Sequence, residues 1–230
     1  MTTEPLTAYE LLRREILSSA LAPGERLRVS ELSARYDLGL TPVREALMRL
    51  ASEGLVQNEA NRGARVSATT VEELHDLMRT RREIERCCLE RAIARGDAEW
   101  EAEILRSFHL LSRAALPADR EDHAAATKWE VLHRKFHLAL VSACDSPWLL
   151  KFWQTLTDHS ERYRNLRVLT YRQIGFDARS MNGEHEAIAQ AVLARDTEQA
   201  VALMNAHLTH TELAVEKLLS AQDAQSEAVS

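Results

Sequence analysis

The chain has 230 residues, enough for two modest domains, and its formal net charge of −6 argues against a protein coated in basic charge. An apolar share of 45% supplies a sizeable core and excludes a disordered class, while 28% charged residues with only 7 Gly and 5 Pro favour helix. The start shows no basic-then-apolar leader and no run nears the ~18 apolar residues of a membrane span, so a cytoplasmic protein with no membrane partner is expected. Cys87, Cys88 and Cys144 form no Cys-x-x-Cys pair and read as small buried apolar residues. Up to Val66, nine arginines meet nine acidic residues. The front is therefore formally neutral, a weak electrostatic signal for nucleic acid.

After a loose arm, Thr7-Ala-Tyr-Glu10 has the form of a capping box and opens a helix to about Ser19. Ala22-Pro-Gly-Glu25 is a turn, and Ser30 is expected to cap a short helix over Glu31–Tyr36. Thr41 then suits an N-cap and Pro42 the first helical position, for a helix that ends at Gly54. Its apolar stripe is Val43, Ala46, Leu47 and Leu50. Thr41, Arg44, Glu45 and Met48 point the other way, with Arg49 on the shoulder. A short helix, a tight turn and a second helix with a polar face make a helix-turn-helix, whose second helix presents its first turns to the major groove. Leu55–Val66 reads as two short strands around Asn61-Arg-Gly63, a hairpin wing with Arg62 and Arg65 near its tip. Any one of these arginines alone reads as a solvated surface charge; the combination carries the inference.

These residues resemble the winged helix of the GntR family of bacterial transcription regulators, through Thr41-Pro-Val-Arg-Glu-Ala-Leu47, Glu53-Gly-Leu-Val56 and Arg62-Gly-Ala-Arg-Val-Ser67. Where the family commonly carries a Ser-Arg pair before the Thr-Pro, this chain has Gly39 and Leu40, and a second commonly basic position is Ser30. The resemblance implies DNA contacts by Arg28, Thr41, Arg44, Arg49, Arg62 and Arg65, on an operator unlike the usual family one.

Thr70-Val-Glu-Glu73 again has capping-box form and opens a helix to about Arg95, with Arg81 on the apolar stripe of Leu74, Leu77, Met78, Ile84 and Cys88. A buried arginine needs an anionic partner, either Glu85 one turn on or a ligand carboxylate. Helical patterns follow at about 98–115, 121–143, 146–170, 182–194 and 197–219, with Asp196 and Gln199 capping the last, and no strand pattern appears after Val66. The rear should be an antiparallel helical bundle. His133 and His137 share one helix face, and His185 and His207 lie on later helices that can fold back to the same point. Each alone is more often a structural histidine than a ligand. The i, i+4 pair raises the odds, and neutral imidazole suits zinc, nickel, iron and copper. His185-Glu-Ala-Ile-Ala189 lacks the second His of a zinc-protease motif, and no nucleophile with a positioned base is evident, so no catalytic residue is assigned.

Phe136-His137, Glu184-His185-Glu-Ala-Ile188 and Ala206-His207-Leu208 resemble the all-helical FCD effector domain of the FadR-like branch of GntR regulators. There an Asp-x-x-x-His helix and two later histidines hold a divalent metal, and a carboxylate effector completes its coordination. The Asp position is His133 here, which implies a four-His site of His133, His137, His185 and His207 that favours zinc or nickel over magnesium or manganese. Arg81, Tyr163 and Arg164 fall at positions the resemblance makes effector-lining. Gly39-Leu40, His133 and Ala94-Arg-Gly-Asp-Ala-Glu-Trp-Glu-Ala102 resemble glutarate-responsive members of the branch, which implies a short dicarboxylate.

The expectation is a mainly α protein. A winged helix-turn-helix with a small β-hairpin wing occupies 1–69, a metal- and effector-binding helical bundle 70–222, and a flexible tail 223–230. Its function would be that of a homodimeric repressor on a palindromic double-stranded DNA operator. Three rivals stay open: a metal sensor without organic effector, a metal-dependent hydrolase in the rear domain, and a metal-free bundle with structural histidines.

Overall fold

The computed structural model describes residues 6–59, 63–119, 122–170 and 178–227. The chain divides into two compact units, Met1–Thr69 and Thr70–Ser230.

In the front unit, α1 (Ala8–Leu17) starts at Thr7, whose hydroxyl oxygen accepts from the Glu10 amide at 3.2 Å while the Glu10 carboxylate accepts from the Thr7 amide at 2.9 Å. The full capping box thus satisfies both orphan donors. Helix α2 (Val29–Tyr36) begins from Arg28 and α3 (Leu40–Ser52) from Gly39, neither with a side-chain cap. Ser30 and Thr41 therefore lie inside the helices they were expected to cap. The chain turns helical a residue or two earlier, because the Gly39 carbonyl already accepts from the Val43 amide at 3.2 Å. Pro42 still falls in the first turn, where its missing donor costs nothing. At the other end of α3, Gly54 takes φ +75°, and the Gly54 and Leu55 amides donate to the carbonyls of Ala51 and Leu50. This is a Schellman ending, which a residue with a Cβ would strain.

Strands β2 (Val56–Glu59) and β3 (Gly63–Val66) form the hairpin, and a third strand, β1 (Arg26–Leu27), pairs antiparallel with β3 to give the order β1-β3-β2. Two residues are too short to show alternation, so sequence periodicity could not reveal β1. The core joins Leu12 and Ile16 of α1 to Val43, Ala46, Leu47 and Leu50 of α3 and to Leu27, Val56 and Val66 of the sheet.

The rear unit is all helix among its described residues: α4 (Val71–Arg95), α5 (Ala98–Ser112), α6 (His123–Val141), α7 (Pro147–Thr170), α8 (Ala178–Leu193) and α9 (Thr197–Glu227), with a 3₁₀ turn at Ser142–Cys144. Helix α4 packs on α6, α7 and α9, while α5 meets α6 and α8. Asp97, Asp122 and Asp196 cap α5, α6 and α9 by accepting from the amides of Trp100, Ala125 and Gln199. Helix α9 runs through Glu227, past residue 223 where a flexible tail was expected; Ala, Gln, Asp and Glu continue a helix without a breaker. At the start of α4 only half of the capping box forms. Thr70 accepts from the Glu73 amide, but the Glu73 carboxylate turns to the Tyr163 hydroxyl at 2.8 Å and to Arg162 at 3.3 Å.

Between α4 and α5 the chain passes Gly96, where a Cβ would stand 2.0 Å from Cε3 of Trp100. Trp100 cannot yield freely, since its Nε1 donates to the Ala139 carbonyl at 2.7 Å and its ring lies in the core. Gly96→Ala is therefore expected to destabilise the rear unit by about 1–3 kcal/mol. Urea denaturation followed by tryptophan fluorescence checks it, because all four tryptophans lie in this unit.

Candidate metal centre and nucleic-acid interface

Helix α6 carries His133 and His137 one turn apart on its buried face, α8 brings His185 and α9 brings His207. One ring nitrogen from each of the four lies within 4.8 Å of the others, and all four residues are buried. Ring centroids are 4.3 Å apart for His133–His137, 4.7 Å for His185–His207 and 5.1 Å for His133–His185. His133 faces the cluster rather than solvent, and Trp129 stacks on its outer side at 4.7 Å. Both nitrogens of His137 and Nδ1 of His133 are buried without a hydrogen-bond partner among the described residues. Burial, then the neighbouring imidazoles and guanidiniums, hold His133 and His137 well below the ordinary imidazole pKa; burial likewise lowers His207. Burial thus favours the neutral form of these three rings, the form that offers a lone pair to a cation. Nitrogen donors around a tetrahedral cation at 2.0–2.1 Å stand roughly 3.3–3.4 Å from one another, so an inward closure would complete such a shell.

Glu184 organises the α9 side. Its carboxylate accepts from Nδ1 of His207 and Nδ1 of His210, each at 2.8 Å. Burial pushes that carboxyl up, but the two histidine bonds outweigh it and hold the pKa below the usual value. The proton fixed on Nδ1 of His207 leaves Nε2 as its lone-pair nitrogen, the arrangement common behind metal-bound histidines.

Around the histidines the bundle buries cations. Arg81 of α4 lies 3.6 Å from Glu85 and donates to the Ser160 hydroxyl at 2.7 Å. Arg164 of α7 donates to both carboxylate oxygens of Glu130 and, at 2.7 Å, to the same Ser160 oxygen. Two guanidiniums thus converge on one neutral oxygen. Burial and the charge of Arg164 bring Arg81 down to about 10, and burial brings Arg167 to about 10. Arg167 also donates to Thr211. The internal Arg81–Glu85 ion pair does form, with its charge shared toward Ser160. Tyr163 lies elsewhere, its hydroxyl bound to Glu73 beside Arg162 rather than to this network. Glu130, Ser160, Arg167 and Glu184 went unrecognised in the sequence, where polar residues in a helix read as solvated. The signal available was Glu130 three residues before His133, and Glu184 next to His185.

On α3 the residues Thr41, Arg44, Glu45 and Met48 are exposed as expected, together with Leu40. Arg44 forms no ion pair among the described residues. Arg49 points to α1 instead, its guanidinium 3.6 Å from the Tyr9 ring centroid and 3.4 Å from Glu53. Arg28 pairs with Glu31 at 2.7 Å on the surface. Arg65 is not at the hairpin tip: it sits in the central strand opposite Arg26 and Gln57, and its guanidinium bonds Glu59 and the Gly24 carbonyl. Arg62 lies outside the described residues.

A winged helix-turn-helix followed by a separate helical bundle is the build of a DNA-binding transcription regulator with a distinct effector domain. The profile of "Bacterial regulatory proteins, gntR family" matches residues 6–66 and that of the "FCD domain" residues 76–210; the chain belongs to the GntR family, in the branch that carries an FCD domain. It is 37% identical over 212 residues to the HTH-type transcriptional repressor GlaR of Escherichia coli K12, covering 90% of this chain and 94% of that one. It is also 37% identical over 200 residues to the HTH-type transcriptional regulator BphR of Paraburkholderia xenovorans LB400, covering 87% and 80%. The fold is that of E. coli McbR/YncC, with a TM-score of 0.74 at 21% identity over 92% of this chain and 96% of that one. No described helix is long and apolar enough to cross a membrane.

The Arg164–Glu130 pair gives a test of the network. Arg164→Ala leaves Glu130 buried without its cation, an expected loss of about 3–5 kcal/mol. The Arg164→Met/Glu130→Gln double variant, which strands no charge and removes one of the two guanidiniums that meet on Ser160, should match or exceed the wild type in urea denaturation.

Proposed function

We propose that the rear unit holds a divalent metal, zinc or nickel, on His133, His137, His185 and His207. We further propose that a short dicarboxylate such as glutarate bound beside it sets the affinity of a homodimeric repressor for a palindromic operator. The observation that carries this reading is the box of four buried imidazoles with ligand nitrogens within 4.8 Å. Neutral nitrogen donors suit those two metals better than magnesium or manganese. When bound, such an ion supplies Lewis-acid coordination for a carboxylate oxygen.

Charge supports the effector class. Arg81, Arg164 and Arg167 face Glu85, Glu130 and Glu184, and burial disfavours charge on His133, His137 and His207. A divalent ion leaves two positive charges uncompensated, and a dicarboxylate brings the two that balance them. Arg81 and Arg164, converging on the Ser160 oxygen, are the groups placed to receive a carboxylate end; Tyr163 is committed to Glu73 and is the weakest of the expected lining residues. Glu184 positions His207. A ligand that binds one bundle packing better than another shifts the population of DNA-competent dimers, with a coupling of roughly 1–3 kcal/mol typical of such switches.

A hydrolytic reading lacks a base. Glu130 is held by Arg164 and Glu184 by two histidines, which leaves neither available to activate water. GlaR, named a transcriptional repressor, supports the repressor sign.

Metal analysis of the purified protein should find about one zinc or nickel per chain, lost in His137→Ala and retained in His133→Asp. A metal-free wild type would sink the site. In thermal unfolding, glutarate at a hundredfold excess over its Kd should stabilise the metal-loaded protein by about 2.7 kcal/mol and leave the chelator-treated protein unmoved. Stabilisation by metal alone, with operator binding switched by chelation and indifferent to dicarboxylates, would favour the metal-sensor reading instead. Glu184→Gln should weaken metal binding about 10- to 100-fold in a competition titration against a chelator.

A further inference from the structure

The exposed face of α3 is more apolar than a groove-reading helix requires. Residues Val43, Ala46, Leu47 and Leu50 are buried against α1 and the sheet, which leaves two rows outside. One row, at i, i+4 and i+8, is Leu40, Arg44 and Met48; the other is Thr41 and Glu45. Leu40 is 49% and Met48 69% exposed, the two largest exposures among the described bulky apolar side chains of the front unit. Both flank Arg44 and neither has a core role that would explain its chemistry. Exposed apolar side chains beside the group that reads a base edge have one apolar target in the major groove, the 5-methyl of thymine.

We infer that Leu40 and Met48 determine operator specificity by packing on thymine methyl groups on either side of the base pair read by Arg44. This rests on the DNA-binding role of the family and is independent of the metal and effector reading. Arg44 supplies the bidentate fork for a guanine. Four residues of helix advance about 6 Å, so the methyl groups lie within roughly two base steps of that guanine. Glu45, on the second row, accepts a hydrogen bond and so suits a cytosine amino group over an adenine–thymine edge at its own position. The half-site therefore reads as a guanine flanked by thymines, with a cytosine at the position that Glu45 meets.

The full-length protein tests this by selecting its preferred duplexes from a randomised library. The best duplex is then remade with deoxyuridine in place of each thymine in turn, which deletes one methyl and leaves every hydrogen-bonding group. Loss of the methyls flanking the selected guanine should weaken binding about threefold to tenfold per position at fixed salt. Leu40→Ala and Met48→Ala, both at exposed positions, should keep the fold by circular dichroism and bind the thymine duplex more weakly. Each should also lose sensitivity to one of the two methyl deletions. Equal binding of thymine and deoxyuridine duplexes overturns the inference, as does a change in oligomeric state of Leu40→Ala without a change in base preference. A selection that enriches no sequence overturns the DNA-reading role along with it.

Discussion

Burying a guanidinium costs several kcal/mol unless anions or hydrogen-bond acceptors are buried with it. The rear bundle buries Arg81, Arg162, Arg164 and Arg167, and much of its polar architecture follows from that requirement. Glu73 leaves its own capping box half made to reach Arg162 and Tyr163. Glu130 sits one turn before His133 because Arg164 arrives from α7 at that level. Ser160 serves two arginines from two helices with a single oxygen. Helices α4, α6 and α7 are thus tied together through charge as well as through apolar contact, and the histidines of α6 stand on this frame.

The histidine box adds a second constraint of opposite kind. Neutral rings avoid the desolvation cost of charge, yet among the described residues His137 has no hydrogen-bond partner for either nitrogen, and such groups cost free energy in a folded core. A chain that keeps both a cluster of buried ion pairs and the unsatisfied ring nitrogens of His133 and His137 at one point has set aside part of its stability there. Departures of this sort from core packing rules concentrate where function needs them.

Much of the scaffold was legible from periodicity and caps. The stripe Val43, Ala46, Leu47, Leu50 is the buried side of α3, Thr7 and Glu10 form their box, and His133 with His137 could be placed on one face by spacing alone. The partners were not legible, for a common reason. Arg81 with Ser160 spans 79 residues and Arg164 with Glu130 spans 34, and no local pattern encodes a meeting at that range. Arg49 and Arg65 show the same limit in the front unit. Both are expected at the groove, and the sequence showed neither the stacking of Arg49 on Tyr9 nor the bond of Arg65 to Glu59. Strand β1 escaped because two residues carry no period, and α2 and α3 began early because capping preferences compete with the turn that precedes them.

The two arginines that meet on Ser160 also bear on how this protein can change over generations. Random substitution mostly destabilises, and proteins sit just above the stability they need. A variant that removes one of these like charges together with its buried acidic partner relieves strain while leaving the helices intact. Selection for a hardier protein would therefore find its gains at the pocket, and selection for a responsive one would erase them. The tension makes this corner of the bundle the place where relatives under different demands should diverge first, even where the rest of the core is held fixed.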